Sequence, residues 1–162
     1  MTSIEEYALY SCTSLKSIAI PDSVTCIGNS TFGWCISLTG ITIPDSVESI
    51  GDSAFYHCES LKSIVIPDSV TSIGDYAFNC CSSLTSIIIP DSVTSIGVDA
   101  FSYCYSLTNI TISDSVKSIG KYAFYNCTNL KSVVFKGKTL KKVQSMKNYP
   151  WNVSKTKIIA EL

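Results

Sequence analysis

The chain has 162 residues, and 46% of them are hydrophobic, which suits one packed domain of ordinary size and argues against a disordered segment. Its 12 basic and 13 acidic residues give a formal net charge of −1 and are spread along the sequence. Without a basic stripe or a polybasic patch, the chain is a poor match for nucleic acid or for an anionic membrane surface. No stretch approaches 18 consecutive apolar residues, so we expect no membrane insertion.

A 23-residue repeat organises the sequence. Leucine recurs with this period at Leu15, Leu38, Leu61, Leu84, Leu107 and Leu130. Each leucine opens the row L-x-x-I-x-I-P-x-x-V-x-x-I-G-x-x-A-F-x-x-C-x-x. Five complete rows fill residues 15–129, after a partial N-terminal repeat in residues 1–14 and before a last strand with a C-terminal cap in residues 130–162. A period of this length predicts a solenoid of stacked coils, because one coil alone cannot bury its apolar side.

Each row predicts the same elements in the same order. The segment L-x-x-I-x-I alternates as a short strand does. These strands are predicted at residues 15–20, 38–43, 61–66, 84–89, 107–112 and 130–135. Stacked one repeat apart, they form one parallel sheet on the concave face of a right-handed α/β solenoid. A glycine marks the next corner, where the chain needs positive φ or a close backbone approach. The segment after it predicts a single helical or 3₁₀ turn on the opposite face.

The two ends differ. Residues 136–162 break the period and predict a cap, in which Leu140 and Val143 share a helical face and residues 157–162 form a last strand. At the other end, Ile4 to Cys12 covers only half of the first coil's face, so Ile18 has an incompletely covered edge. This predicts either further repeats before residue 1 in a longer parent protein or an end-to-end homodimer.

The row resembles the BspA-type leucine-rich repeat of bacteria and protozoa, over residues 4–135. The resemblance implies a non-catalytic module for adhesion or recognition at a cell surface, displayed or secreted as part of a longer protein. Its partner is then a host matrix protein, a cell-surface protein or a glycan. The alternative function is an intracellular or assembly scaffold that binds a protein partner.

Six of the eight cysteines share the repeat's period. They are Cys12, Cys35, Cys58, Cys81, Cys104 and Cys127. A metal ladder, disulfides between neighbouring coils and a column of small buried thiols are all conceivable. A metal needs ligands that converge from different directions, whereas a straight column offers one sulfur per coil, so we predict reduced and buried thiols and no metal. Cys26 and Cys80 lie off the column and are predicted to be accessible.

The sequence offers no catalytic set. The single histidine, His57, is next to Cys58, but adjacent residues in an extended segment point apart. The repeated Asp-Ser pairs are predicted to cap the turn after each strand, with calcium between the coils as the alternative. No carboxylate pair or glycine-rich phosphate loop stands outside the repeat, so we predict no enzyme activity and no cofactor.

Two surfaces are candidates for ligand binding, and the sequence leaves both open. The first is the outward column of the predicted sheet, represented by Thr42, Val65, Ile88 and Thr111. Such a ladder also stabilises neighbouring strands without any ligand. The second consists of aromatic side chains in columns that vary between rows. Its candidate residues are Trp34, Tyr56, His57, Tyr103 and Tyr105. Exposed aromatic side chains are good anchors for a partner.

Overall fold

The chain winds into a solenoid whose coils repeat every 23 residues. A computed structural model describes residues 3–162. Strands of successive coils pair in parallel with a register of one full repeat, so that Ile27 lies opposite Ile50 and Ile50 lies opposite Ile73. The predicted repeat solenoid is therefore confirmed.

The solenoid has two parallel sheets where the sequence predicted one. The first contains β1 (Ser3–Ile4), β2 (Cys26–Ile27), β3 (Ser49–Ile50), β4 (Ser72–Ile73), β6 (Ser95–Ile96) and β8 (Ser118–Ile119), paired in that order. The second contains β5 (Ser86–Ile89), β7 (Asn109–Ile112), β9 (Ser132–Lys136) and the cap strand β10 (Ile158–Glu161), in the order β10-β9-β7-β5. The first sheet escaped prediction because its strands have two residues each, too few to show an alternating pattern.

The concave sheet is continuous only in the second half of the chain. The predicted strands at 84–89, 107–112 and 130–135 correspond to β5, β7 and β9. Residues 15–20 and 38–43 contribute a single bridge between Ala19 and Thr42, and residues 61–66 form no strand. Glycine is a poor strand former and Gly40 lies in residues 38–43, but nothing in the composition of residues 61–66 explains the absence of a strand there. At the other end, β10 extends the sheet by pairing with β9.

The third side of each coil consists of hydrogen-bonded turns and not of the helical or 3₁₀ turn that the sequence predicted. We call this side the turn ladder; it comprises residues 7–11, 30–34, 53–57, 76–80, 99–103 and 122–126. Alternate N–H groups donate to the next coil, as from Phe32 to the Ala54 carbonyl at 2.8 Å and from Trp34 to the Tyr56 carbonyl at 2.7 Å. Trp34 has a φ of 61° and His57 a φ of 57°. A helix requires negative φ throughout, so these residues prevent one.

The core is a set of single-residue columns between the three sides. The phenylalanine column stacks almost parallel: the ring centroids of Phe55 and Phe78 lie 5.3 Å apart at an interplanar angle of 4°. Phe78 and Phe101 repeat this geometry at 5.4 Å and 3°. The leucine, valine, isoleucine, alanine and cysteine columns fill the remaining space, and nearly all of their members are buried. The predicted inward columns are thus confirmed.

The glycine column marks the closest approach between coils. A Cβ on Gly97 would lie 2.5 Å from backbone atoms of Gly74 and Asp75, and a Cβ on Gly120 would lie 2.3 Å from the Val98 nitrogen. Neither glycine has a positive φ. Of the two reasons that the sequence suggested for these glycines, the structure supports close backbone approach.

The residues after three of the corner glycines, Gly28, Gly51 and Gly74, join neighbouring coils by side-chain hydrogen bonds. Oδ1 of Asn29 accepts from the Asp52 N–H at 2.8 Å, and Oδ1 of Asp52 accepts from the Asp75 N–H at 2.8 Å. Oδ1 of Asp75 continues the series to the Val98 N–H at 2.6 Å. The sequence analysis missed this series, although a short polar side chain at this point of three successive rows is a visible signal.

The cap closes the C-terminal end of the described chain. Its helix α1 (Leu140–Gln144) contains both residues that were predicted to share a helical face, but only Val143 is buried and 47% of Leu140 is exposed. Trp151 is buried against Phe135, with ring centroids 5.5 Å apart. A 3₁₀ turn at Lys155–Lys157 leads into β10. Within residues 3–162, no helix is long and apolar enough to cross a membrane.

Candidate functional site

The most exposed apolar side chains of the sheet side lie together in a groove. Val65 is 78% exposed and Ile88 is 70% exposed, whereas their neighbours Ile64 and Ile87 are buried because successive side chains alternate. The groove encloses about 600 Å³, and Thr111 also lines it. Thr111 is half-buried and lies opposite Ile88 across β5 and β7.

A second, shallower depression continues the groove toward the first coils. It encloses about 350 Å³ and is lined by Thr42 and Val65 among others. The structure thus brings the four candidates Thr42, Val65, Ile88 and Thr111 onto one continuous surface, which we call the concave groove.

An acidic edge runs beside the concave groove. It is formed by the exposed carboxylates that follow each strand, namely Asp22, Asp45, Asp68 and Asp91. Asp68 and Asp91 also line the groove itself. Their counterpart Asp114 differs, because its Oδ1 lies 2.9 Å from Nζ of Lys138 and 3.4 Å from Nζ of Lys142. Within residues 3–162, Asp114 is the one aspartate of this edge that forms an ion pair with lysine.

Three serines of the Asp-Ser pairs, Ser46, Ser69 and Ser115, connect coils and do not cap local N–H groups as predicted, whereas the buried hydroxyl of Ser92 has no hydrogen-bond partner among the described residues. Ser46 donates to the Val24 carbonyl at 2.7 Å, and Ser69 donates to the Val47 carbonyl at 2.6 Å. Each acceptor belongs to the preceding coil. The serine hydroxyl reaches across because the coils lie close together at this corner.

The candidates Trp34, Tyr56 and His57 form one aromatic patch on the turn ladder. The Trp34 and His57 rings stack with centroids 4.0 Å apart and an interplanar angle of 2°. Tyr56 meets both rings edge to face. His57 Nδ1 lies 3.1 Å from a carboxylate oxygen of Glu59. Cys58 is buried and its thiol donates to the Phe32 carbonyl at 3.1 Å, so the sulfur and the imidazole do not form a nucleophile and base pair.

The candidates Tyr103 and Tyr105 belong to a separate patch two coils further on. Their ring centroids lie 6.2 Å apart, and Tyr103 also packs against Tyr125 at 5.4 Å. Two members of this patch, Asp99 and Tyr122, were not predicted, although they share one column that varies between rows as Tyr7, Ser30, Ser53, Tyr76, Asp99 and Tyr122. The structure does not join the two patches, since Cys80 holds the intervening position of the ladder.

The cysteine column points its thiols at backbone carbonyls of preceding coils. Cys81 donates to the Phe55 carbonyl at 3.2 Å and Cys104 to the Phe78 carbonyl at 3.2 Å. Burial, followed by the influence of neighbouring thiols, raises the pKa of both. All eight cysteines are free thiols. The residues 3–162 contain no cluster of three histidine, cysteine, aspartate or glutamate side chains arranged to hold a metal.

Five of the six columnar cysteines are buried, which confirms their predicted burial. Cys12 is the exception, because it is half-buried like the off-column Cys26 and Cys80. The predicted accessibility of Cys26 and Cys80 is confirmed to the extent that neither is buried. Three cysteines, and not two, are therefore partly open to solvent.

The sequence and the fold were compared with those of known proteins. The family model described as BspA type leucine-rich repeat region matches residues 2–131 and 49–159, with six copies. The matched family is defined by its repeat, and the match indicates no enzyme family. No curated protein matches the sequence significantly.

Solved structures of bacterial leucine-rich repeat proteins share the fold. A leucine rich cell surface protein from Faecalibacterium prausnitzii has 34% sequence identity and a TM-score of 0.78 over 83% of this chain; the chain spans only 35% of that protein. The leucine-rich repeat protein of T. pallidum has 26% identity and a TM-score of 0.74, covering 97% of this chain and 73% of its own. The pneumococcal vaccine antigen PcpA, at 20% identity, has a TM-score of 0.73 over 94% of this chain and 43% of its own, and shows the fold alone. With the family model covering nearly the whole sequence, this chain belongs to the BspA-type leucine-rich repeat family.

Proposed function

We propose that this chain is a non-catalytic protein-binding module that serves adhesion or recognition at a bacterial or protozoan cell surface, and that it binds its partner in the concave groove. The observation that carries the proposal is the exposure of Val65 and Ile88, at 78% and 70%, side by side in an open groove. Covering an aliphatic side chain of this size contributes about 1.5–3 kcal/mol, so two of them make an effective centre for an interface.

The charges beside the groove define the partner further. Asp68 and Asp91 line it together with one lysine, Lys136, and within residues 3–162 neither aspartate forms an ion pair with lysine, so the lining has a net negative charge. A partner segment with apolar side chains at its centre and lysine or arginine beside them complements this arrangement. Electrostatic complementarity of this kind speeds association and selects among partners. We therefore favour a basic, partly apolar protein segment over a neutral glycan as the occupant of the groove.

The cell-surface location is supported by the comparison with the Faecalibacterium prausnitzii protein, which is described as a leucine rich cell surface protein. Because this chain spans about a third of that protein, we propose that it is displayed or secreted as part of a longer molecule.

The proposal predicts that a negative charge in the groove weakens partner binding. The chain is tested by surface plasmon resonance against purified matrix proteins, cell-surface proteins and glycans. Ile88→Glu and Val65→Glu are each expected to weaken protein binding at least tenfold, because they bury a carboxylate next to Asp68 and Asp91. Ile159→Glu is the matched control, since Ile159 is an exposed outward residue of β10 that lies outside the groove.

Binding to a protein that both groove variants weaken and the control leaves unchanged supports the proposal. Binding to glycans alone, or protein binding that ignores both groove substitutions, overturns it. Raised ionic strength is expected to weaken the interaction, because part of it is a pairing of opposite charges.

A further inference from the structure

A small acidic aromatic cavity lies on the turn ladder, on a different side of the coil from the concave groove. Its lining consists of Asp99, Tyr103, Tyr122 and Tyr125, and it encloses about 270 Å³. We call these four residues the tyrosine cage. Pockets for drug-sized ligands are typically roughly 300–1,000 Å³, so this cavity suits a compact group and not an extended molecule.

The rings of the cage face different directions. Tyr103 and Tyr125 have centroids 5.4 Å apart and an interplanar angle of 86°, and Tyr122 and Tyr125 have centroids 5.9 Å apart at 64°. Rings arranged in this way surround a roughly spherical group, whereas a sugar ring stacks on one flat face. The π-face of a tyrosine carries negative potential and attracts a cation. The Tyr122 ring already has a cation near it, because Nζ of Lys121 lies 4.7 Å from its centroid.

The backbone holds the cage in place. Three of its residues have left-handed φ values: 52° at Asp99, 60° at Tyr103 and 60° at Tyr122. The Tyr103 N–H donates to the Tyr125 carbonyl at 2.8 Å, which fixes the two coils against each other. Bulky residues keep this conformation only where their surroundings enforce it.

The carboxylate of Asp99 is also held by a buried group. The hydroxyl oxygen of Ser102 lies 2.6 Å from Asp99 Oδ1 and 2.7 Å from the Tyr122 carbonyl oxygen, and Ser102 is fully buried. The pKa of Tyr103 is raised, first by burial and then by neighbours that include Tyr125 and Asp99. The phenol therefore keeps its proton, and the negative charge in the cage comes from Asp99.

The same backbone positions in other coils carry different side chains. Between the second and third coils the equivalent four residues are Ser30, Trp34, Ser53 and Tyr56. Between the third and fourth coils they are Ser53, His57, Tyr76 and Asn79. Between the fourth and fifth coils they are Tyr76, Cys80, Asp99 and Ser102. The combination of one carboxylate with three tyrosines occurs once, so the repeat itself does not account for it.

We propose that the tyrosine cage is a binding site for a trimethylammonium group. Aromatic rings around a carboxylate are the arrangement that recognises quaternary ammonium ligands, which lack N–H donors and bind through cation–π attraction and charge. The group has two sources, the choline of a phosphocholine headgroup and the side chain of trimethyllysine in a protein. The site is independent of the function proposed for the concave groove.

The test compares choline with its uncharged isostere 3,3-dimethylbutan-1-ol by isothermal titration calorimetry, with NMR signals of the tyrosine rings as a second readout. Choline is expected to bind at least about tenfold more tightly, because the two molecules have the same shape and differ in charge. Phosphocholine and a trimethyllysine peptide are titrated in parallel, and the tighter of the two identifies the source. Equal binding of choline and the isostere, or no binding of choline at millimolar concentration, overturns the proposal.

Three variants test the roles of individual side chains. Tyr122→Leu is expected to weaken choline binding about tenfold, and Asp99→Asn is expected to weaken it similarly, whereas Tyr122→Phe keeps the ring and retains binding. Tyr76→Leu is the matched control, since Tyr76 occupies the same column as Tyr122 with a φ of 57° but lies outside the cage. Loss of binding in Tyr76→Leu, or its retention in Tyr122→Leu with the fold intact by circular dichroism, contradicts the assignment.

Discussion

At the scale of single residues, the periodic cysteines act as core packing residues that also make a weak hydrogen bond. Each buried thiol donates to a carbonyl 26 residues earlier, as Cys58 does to Phe32. The sequence predicted the burial of this column from its period, because a residue that recurs at a fixed position between two core columns also faces the core. It could not predict the exposure of Cys12, since that depends on how closely the first coil is covered.

The thiols are expected to react in two groups. In native protein, Cys12, Cys26 and Cys80 are the partly exposed sulfurs, and they should take up a thiol reagent first. Among these, Cys80 should react with the reagent more slowly than its exposure alone would indicate, because burial and then the charge of Glu59 raise its pKa. Burial raises the pKa of Cys35 to about 11 and that of Cys127 to about 12, so both require unfolding.

Mass spectrometry of peptides after timed labelling at pH 8 measures this order. Cys80→Ser should remove the slowest of the three accessible sites and leave the labelling of Cys12 and Cys26 unchanged. Prompt modification of the buried Cys58, Cys81 or Cys104 in folded protein would show that the coils open more readily than the packing indicates.

Asp114 should make stability depend on pH at the acidic end. The hydrogen bond and charge of Lys138, followed by those of Lys142, hold the pKa of Asp114 below its usual value of 3.8. A carboxylate with a lowered folded pKa stabilises the folded state above the unfolded pKa, and this contribution is lost as pH falls through the folded value. Asp114→Asn should therefore lower the melting temperature at pH 7. As the pH falls below about 4, the variant should lose less stability than the unaltered protein, because it has no carboxylate at this position to be protonated.

Thermal unfolding followed by circular dichroism between pH 2.5 and 7 tests this expectation. Asp91→Asn serves as the control, because Asp91 occupies the same column without a lysine partner. An identical pH profile for the two variants would mean that the ion pairs of Asp114 contribute nothing to stability.

At the scale of elements, the spacing between coils is set by the glycine corner. The sequence showed a glycine at this point of five rows, and strand patterns correctly located β5, β7 and β9. The turn ladder was not foreseeable in the same way. Its geometry depends on left-handed φ values at residues such as Trp34 and Tyr103, which have side chains that rarely adopt them and give no local signal.

Replacing a corner glycine should force neighbouring coils apart. Gly97→Ala is expected to lower the free energy of unfolding by about 1–3 kcal/mol, because the new Cβ would lie 2.5 Å from backbone atoms that cannot move aside. Gly40→Ala is the control, since a Cβ added there would have no atom within 4 Å and the φ of Gly40 is not positive. It should be neutral or stabilising by about 0.4–1 kcal/mol. Urea denaturation of both variants measures this difference. A Gly97→Ala variant as stable as the control would contradict the expectation.

At the scale of the whole molecule, the sequence predicted the architecture better than the candidate surfaces. The period of 23 residues is enough to define a solenoid, because every column must face the same direction in every coil. Binding surfaces depend on how side chains from different coils meet. The aromatic residues Trp34 and His57 could be singled out from sequence, but their stacking could not. Asp99 and Tyr122 were missed because the cage requires two coils to be seen together.

The one-way hydrogen bonding of the turn ladder makes this one side of the solenoid electrically polar along its axis. In an ordinary sheet the peptide dipoles alternate and nearly cancel. Here alternate N–H groups of each coil, such as that of Phe32, all donate to the following coil, so dipoles of about 3.5 D each add from one coil to the next. Along the turn ladder, each coil therefore presents carbonyl oxygens toward the preceding coil and N–H groups toward the following coil.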